Sequence, residues 1–225
     1  VLVKFHSNEL LKGMIGVYSV KTILFATITL VSTLFVGVST DVQAQAPATY
    51  RVKMETTKGT FYIDVTRSWC PNGADQFYKL VNSGFYNDCA FFRVIEGFMA
   101  QVGINGDPDS QAKWRDQTIQ DDPVSKSNLK GYVSFAKTSA PHSRTTQIFI
   151  NYGDNRRLDK YGFAPFGYIS KDGMKVVDAL YNGYGEGAPS GRGPSQGRLQ
   201  LEGNPYLKKE FPRLDYIKKA TIAKK

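Results

Sequence analysis

The chain has 225 residues, a formal charge of +9, two cysteines and two histidines. So few soft ligands exclude His-rich zinc sites and a His-Glu-x-x-His helix, and no Cys-x-x-Cys redox pair occurs. Lysines and arginines are interleaved with acids, as in Lys208-Lys209-Glu210 and Arg213-Leu214-Asp215. A solvated basic surface is therefore expected, with no dedicated nucleic-acid site.

Taken in chain order, residues 1–44 differ in kind from the rest. Lys21 precedes an uncharged apolar run over 23–38, and small residues follow up to Val42-Gln43-Ala44. A positive flank, an apolar centre and a small-x-Ala exit read as a secretory signal cleaved after Ala44, with Met14 a candidate start. A retained membrane anchor over 23–38 is the competing reading. Loss of 1–44 removes Lys4, Lys12 and Lys21 against Glu9 and Asp41, which takes the charge from +9 to +8. The protein is expected to be exported, periplasmic or secreted, with residues 45–225 forming one domain and a monomer. Cys70 and Cys89 lie in the exported part, so a disulfide across one short helix is expected; two unpaired buried thiols are the alternative.

Residues 50–55 and 60–65 alternate polar and apolar around Thr56-Thr57-Lys58-Gly59 and predict a hairpin. Pro71 opens a helix with Ala74, Phe77, Leu80 and Val81 on one face and Gly84 as terminator. Phe91 to Gln101 reads as two strands meeting near Gly97. Residues 103–130 are polar and predict a long excursion with little regular structure; Asn105, Asp107 and Asp109 alternate there without the order of a calcium loop. Strands follow over 132–136, 147–150 and 163–169, then a helix over 174–181. The glycine-crowded stretch 183–205 predicts a loop, and 216–222 a last strand returning beside the first. Eight strands and two capping helices point to a closed antiparallel barrel, mainly β.

Arg93 is out of place among Phe91, Phe92, Val94 and Ile95, where a guanidinium must find partners or face a cavity. Gln101, two residues beyond Met99, adds a second polar group on the same strand face. Together with Phe98 and Met99 they describe an apolar pocket with two fixed hydrogen-bonding groups, the make-up of a small-ligand or peptide site. A triad through His142 with Ser134 or Ser143 lacks a nucleophile-elbow motif, and His142 is expected to be solvated.

Phe91-Phe92-Arg93-Val94-Ile95-Glu96-Gly97-Phe98-Met99-Ala100-Gln101 resembles the signature of the cyclophilin-type peptidyl-prolyl cis–trans isomerases. So do Ser134-Phe135-Ala136-Lys137, Thr146-Gln147-Ile148-Phe149-Ile150, Leu158-Asp159 and Phe166-Gly167-Tyr168-Ile169, in that order. The resemblance implies an eight-stranded barrel with two capping helices, isomerase activity without metal or cofactor, and proline-containing flexible polypeptides as partners. Carried over by position, it implies Arg93 as the catalytic arginine and Phe98, Met99, Phe149 and Leu158 as walls of the proline pocket. Gln101 would hold the substrate backbone, Ala136, Lys137 and Gln147 would form the groove before proline, and Phe163 would sit at the rim. Arg157 stands where many members carry a tryptophan whose indole N–H binds cyclosporin, which implies weak binding of that drug. Phe92 replaces a common histidine and Lys137 a common asparagine, so peptide preference is open. Two rivals are a cyclophilin-fold module that grips proline segments without turning them over, and a polyanion-binding domain.

Overall fold

The structure, a computed structural model, describes residues 45–223. The expected signal, anchor and start residue lie outside this range. Eight strands make one curled antiparallel sheet: β1 (Thr49–Thr56), β2 (Gly59–Thr66), β3 (Arg93–Ile95), β4 (Met99–Val102), β5 (Tyr132–Phe135), β6 (Ile148–Asn151), β7 (Pro165–Tyr168) and β8 (Ile217–Ile222). Their order is β3-β4-β6-β5-β7-β2-β1-β8. The last strand pairs with the first, as expected. Closure by a continuous ladder is not found among the described residues, because β3 and β8 stand at opposite ends of the order. They are tied through the segments before them, by the bridge Ala90–Tyr216 and the bonds Phe91 N–H to Asp215 O (2.9 Å) and Ile217 N–H to Cys89 O (2.9 Å).

Alternation explains which way the strands face. β1 buries Tyr50, Val52, Met54 and Thr56 and exposes or half-exposes the residues between, and β2 does the same with Phe61, Ile63 and Val65. Phe77, Phe135 and Phe166 meet in the interior, with centroids 4.9 Å and 5.2 Å apart about Phe166. Helix α1 (Pro71–Asn82) starts at Pro71, whose missing N–H costs nothing in the first turn. It stops at Gly84, where φ is +73°. Gly84 N–H reaches Val81 O and Phe85 N–H reaches Leu80 O, which satisfies carbonyls the helix leaves open.

Four helices, not two, flank the sheet in the described residues. The second expected helix is α3 (Lys171–Asp178), capped by the Ser170 side chain. Helix α2 (Pro108–Trp114) lies in the excursion read as irregular. Asp107 accepts from the Ser110 N–H at its N-terminus, and Asn105 is taken up by Phe85 O and the Asp107 N–H, so these residues have structural roles. Helix α4 (Gln196–Glu210) corrects the loop expected through 205. It breaks at Gly203 (φ +63°) and carries Pro205, which hides its period from the sequence. Its face is nonetheless apolar enough to build a second core from Leu199, Tyr206 and Leu207 with Phe92, Ile104 and Leu214. No helix among the described residues is long and apolar enough to cross a membrane.

The expected disulfide is not formed: Cys70 and Cys89 are both free and buried. Cys70 stands immediately before the 12 residues of α1, a rod of about 18 Å, and Cys89 lies beyond its other end. Cys70 Sγ instead donates to Asp122 Oδ2 (2.9 Å), and Cys89 Sγ to Phe85 O (3.4 Å). Burial, then the Asp122 hydrogen bond and charge, push the Cys70 thiol up to about 12, and burial raises Cys89 as well. A thiol-specific alkylating reagent is therefore expected to label neither buried cysteine in the native protein and both after denaturation without reductant. One label or none under denaturing conditions would contradict this pairing state.

Candidate active site

The two-residue period of the strands divides the core from a cavity. Val94 in β3, Ala100 and Val102 in β4, and Ile148 and Ile150 in β6 point into the main core. The intervening Arg93, Met99, Gln101 and Phe149 therefore face the other way, and all four line one cavity of about 630 Å³. Register places them in a row across the sheet: Arg93 pairs with Gln101, and Gln101 with Phe149. The expected turn between β3 and β4 is present, with Gly97 at φ +69° and Phe98 N–H bonded to Ile95 O (3.0 Å).

The remaining walls come from two loops. Ala136 N–H bonds to Gln147 O (2.9 Å), which extends the β5–β6 pairing and presents Ala136, Lys137 and Gln147 to the cavity. Lys137 Nζ is held by Asp121 Oδ2 at 3.0 Å. Leu158 lies in a 3-10 helix (Arg156–Tyr161), with Phe163 just beyond it. Phe163 meets Phe149 edge-on at 5.7 Å. A buried polar network sets that segment against the sheet. Asn128 Oδ1 accepts from Ser134 Oγ (2.8 Å), and its Nδ2 donates to Phe163 O and Asp159 Oδ1, both at 2.7 Å. Asn155 Nδ2 donates to Phe98 O and to Asn151 Oδ1, both at 2.8 Å. Each buried amide here has partners, so the network holds the loop without a desolvation penalty.

All ten residues singled out from the sequence thus meet in one place: Arg93, Phe98, Met99, Gln101, Ala136, Lys137, Gln147, Phe149, Leu158 and Phe163. Arg93 Nη1 donates to Gln101 Oε1 at 3.0 Å, and Gln101 Nε2 to Gln147 Oε1 at 2.7 Å. The guanidinium also lies 5.9 Å from the Phe98 ring centre, with the Arg157 guanidinium at 4.8 Å from the same ring. The triad alternative does not assemble. His142 Nδ1 accepts from the Asp121 N–H, Ser134 is fully buried against Asn128, and Ser143 donates to Ala140 O.

Sequence reasoning missed the far wall. Gln196 and Gln200 from α4, with Gln111 and Arg115 at α2, also border the cavity. It missed Glu186 too, whose carboxylate takes Arg93 Nε and Nη2 at 2.6 Å each. The only available signal was a lone acid inside a glycine run, which has no period to read.

The family model described as cyclophilin type peptidyl-prolyl cis-trans isomerase/CLD matches residues 51–196. The chain is 35% identical over 139 residues to peptidyl-prolyl cis-trans isomerase A of Dickeya dadantii, covering 60% of this chain and 73% of that protein. It is 34% identical over 137 residues to peptidyl-prolyl cis-trans isomerase B of Escherichia coli, covering 57% and 82%. In fold it is similar to a crystal structure of a cyclophilin type isomerase from Cryptosporidium parvum. There the TM-score is 0.56 at 22% identity, over 79% of this chain and 99% of that one. The structure of that protein in the presence of the dipeptide Ala-Pro gives a TM-score of 0.53 at 20% identity, over 78% and 99%. Strand order, cavity and a family match over more than half the chain agree, and the chain belongs to the cyclophilin-type peptidyl-prolyl cis–trans isomerases.

Proposed function

We propose that the protein speeds rotation about X–Pro bonds with Arg93 as the catalytic group, and that it does so for polypeptides folding outside the cytoplasm. Rotation is slow because amide resonance must be lost, a barrier of about 18–20 kcal/mol. No bond breaks, so the reaction needs no nucleophile. A donor aimed at the prolyl nitrogen favours its pyramidal, non-resonant form, and a preformed donor in a half-closed site does this without reorganising. Arg93 offers such a donor beside an apolar floor of Phe98, Met99, Phe149 and Leu158 that suits a proline ring. Gln101, locked between Arg93 and Gln147, is set to hold the substrate backbone. Ala136, Lys137, Gln147 and Phe163 would receive the residue before proline and close the rim.

The observation that carries this reading is the convergence of one guanidinium, one amide and four apolar side chains on a single cavity. Flexible proline-containing chains are its substrates, in keeping with the likeness to a protein crystallised with Ala-Pro. Export rests on the pattern of residues 1–44 alone, because the unpaired buried cysteines lend it no support. Slow proline steps of about 10–100 s give an isomerase outside the cytoplasm its use. Exchange spectroscopy on a short X–Pro peptide, together with N-terminal sequencing of the mature protein, tests both parts. Accelerated exchange and a terminus at Gln45 are expected. Tight peptide binding without exchange would favour the holdase reading, and an intact residue 23–38 segment would favour the anchor.

Arg157 carries a separate expectation. It stacks on Phe98 and donates to Asn155 Oδ1 at 3.2 Å, so no indole N–H is offered at that rim. Weak cyclosporin binding follows, and Arg157→Trp is expected to tighten it about tenfold by calorimetry, the worth of one good hydrogen bond with its stacking area. Unchanged affinity would contradict this.

A further inference from the structure

The Arg93 side chain is long and flexible, and its strand β3 is only three residues long. Gln101 fixes one of its nitrogens, which leaves rotation about the remaining torsions free. Glu186 removes that freedom. Its two oxygens meet Nε and Nη2 side-on at 2.6 Å each, a bidentate fork that sets the plane of the guanidinium as well as its distance. Of five N–H groups, three are then engaged by Glu186 and Gln101, and Nη1 lies 3.8 Å from Met99 Sδ. An outer Nη2 N–H has no partner among the described residues, and the guanidinium borders the cavity.

The carboxylate is itself held. Glu186 Oε1 accepts from the Gly187 N–H at 2.9 Å, and its backbone oxygen from the Gly193 N–H at 2.8 Å. Gly185 bridges to Val94, the residue after Arg93, so the strap formed by residues 185–193 is joined to β3 at the point where the pair forms. Gly187 and Gly193 bridge in parallel, which closes the strap on itself. Two glycines are required for this closure: a Cβ at Gly191 would collide with Glu186 O and stand 2.7 Å from Glu186 Cβ, and one at Gly193 would stand 2.9 Å from Glu186 O. Hydrogen bonding from Arg93 also holds the Glu186 carboxyl below its ordinary range, against the opposing effect of partial burial, so it is ionised at neutral pH.

We infer that Glu186 is a positioning residue for the isomerase reaction, fixing the Arg93 guanidinium in the orientation that presents its free edge to the prolyl nitrogen. The inference rests on the isomerase reading above. A group that sets orientation acts on the transition state and leaves ground-state gripping of the proline ring to the apolar walls. The expected signature is therefore a fall in kcat with little change in peptide affinity.

Exchange spectroscopy on a short X–Pro peptide, with peptide Kd by titration, tests this on the wild type, Glu186→Gln, Glu186→Asp and Glu186→Ala. Misorientation on the scale of an ångström costs up to about 10²-fold, so the Ala variant is expected to lose about 10- to 100-fold in kcat. The Gln variant, with one acceptor and no charge, is expected to fall between it and the wild type. Asp, charged but one methylene short, is expected to recover part of the loss, and peptide Kd is expected to stay within about threefold throughout. Gly191→Ala, which pushes on Glu186 without touching the cavity, is expected to lower kcat in the same sense. Equal or higher kcat in the Gln and Ala variants would overturn the inference, since the carboxylate would then be idle or a brake. So would a loss confined to Kd or matched by a collapse in melting temperature. A wild type with no isomerase activity would instead remove the reading on which the inference stands.

Discussion

Arg93→Ala is expected to lower kcat/KM on a short X–Pro peptide by about 10²–10³, the usual loss on deleting one preorganised donor. The cavity keeps its apolar walls in this variant, so the loss is expected in kcat, with peptide affinity changed much less. Arg93→Lys separates charge from geometry. An ammonium keeps the positive charge but cannot meet Glu186 and Gln101 with a planar fork while still presenting a donor to substrate. Most of the loss is therefore expected to persist in the Lys variant. Exchange spectroscopy and a protease-coupled assay both read it, and wild-type turnover by either variant would refute the assignment. The guanidinium does more than fill space here: its side chain is about one-fifth exposed, where substrate can reach it.

The second large effect is on stability. Arg144 is 1% exposed, the largest of the fully buried side chains, and it does not line the cavity. Its Nη2 donates to Asp122 Oδ2 at 2.9 Å and to Gln120 O, and its Nη1 to Cys70 Sγ at 3.3 Å. Nε stands 3.4 Å from Asp121 Oδ1, an ion pair without hydrogen-bond alignment. Asp122 also accepts the N–H groups of Asn72 and Gly73 at 3.0 Å each, so it caps the start of α1. Arg144→Met would leave that carboxylate buried with backbone donors but no cation. Breaking a buried pair in this way costs about 3–5 kcal/mol. At about 2–4 °C per kcal/mol for a domain of this size, the melting temperature is expected to drop by roughly 6–20 °C. Adding Asp122→Asn, which keeps an acceptor for the cap and removes the stranded charge, is expected to recover a good part of the drop. A single variant that melts within about 2 °C of wild type would contradict this account.

Much of the sheet was legible because its signals are local. The first hairpin shows strict alternation, α1 shows Pro71 at its start and Gly84 at its end, and the turn at Gly97 separates two apolar runs. The cavity was legible for a different reason. Arg93 and Gln101 are polar groups at positions whose neighbours demand burial, and such a conflict marks a site before any fold is known. What stayed hidden depends on contacts far apart in sequence. Glu186 lies 93 residues from Arg93, in a stretch whose glycines signal loop and nothing more. Helix α4 is interrupted by Gly203 and Pro205 inside its span, so its apolar face never shows a clean period. The cysteines misled because spacing and compartment say nothing of the partners that take each thiol, Asp122 for Cys70 and the Phe85 carbonyl for Cys89.

In the proposed mechanism the Arg93 guanidinium engages the prolyl amide inside this cavity. Side-chain nitrogen–proton spectra of the wild type, recorded while an X–Pro peptide and its X–Ala counterpart are titrated in turn, would register that contact. The X–Pro peptide is expected to shift the Arg93 guanidinium and Gln101 amide signals while its own cis–trans exchange accelerates, and the X–Ala peptide to leave the Arg93 signals in place. Accelerated exchange with unmoved Arg93 signals would mean that another group does the work.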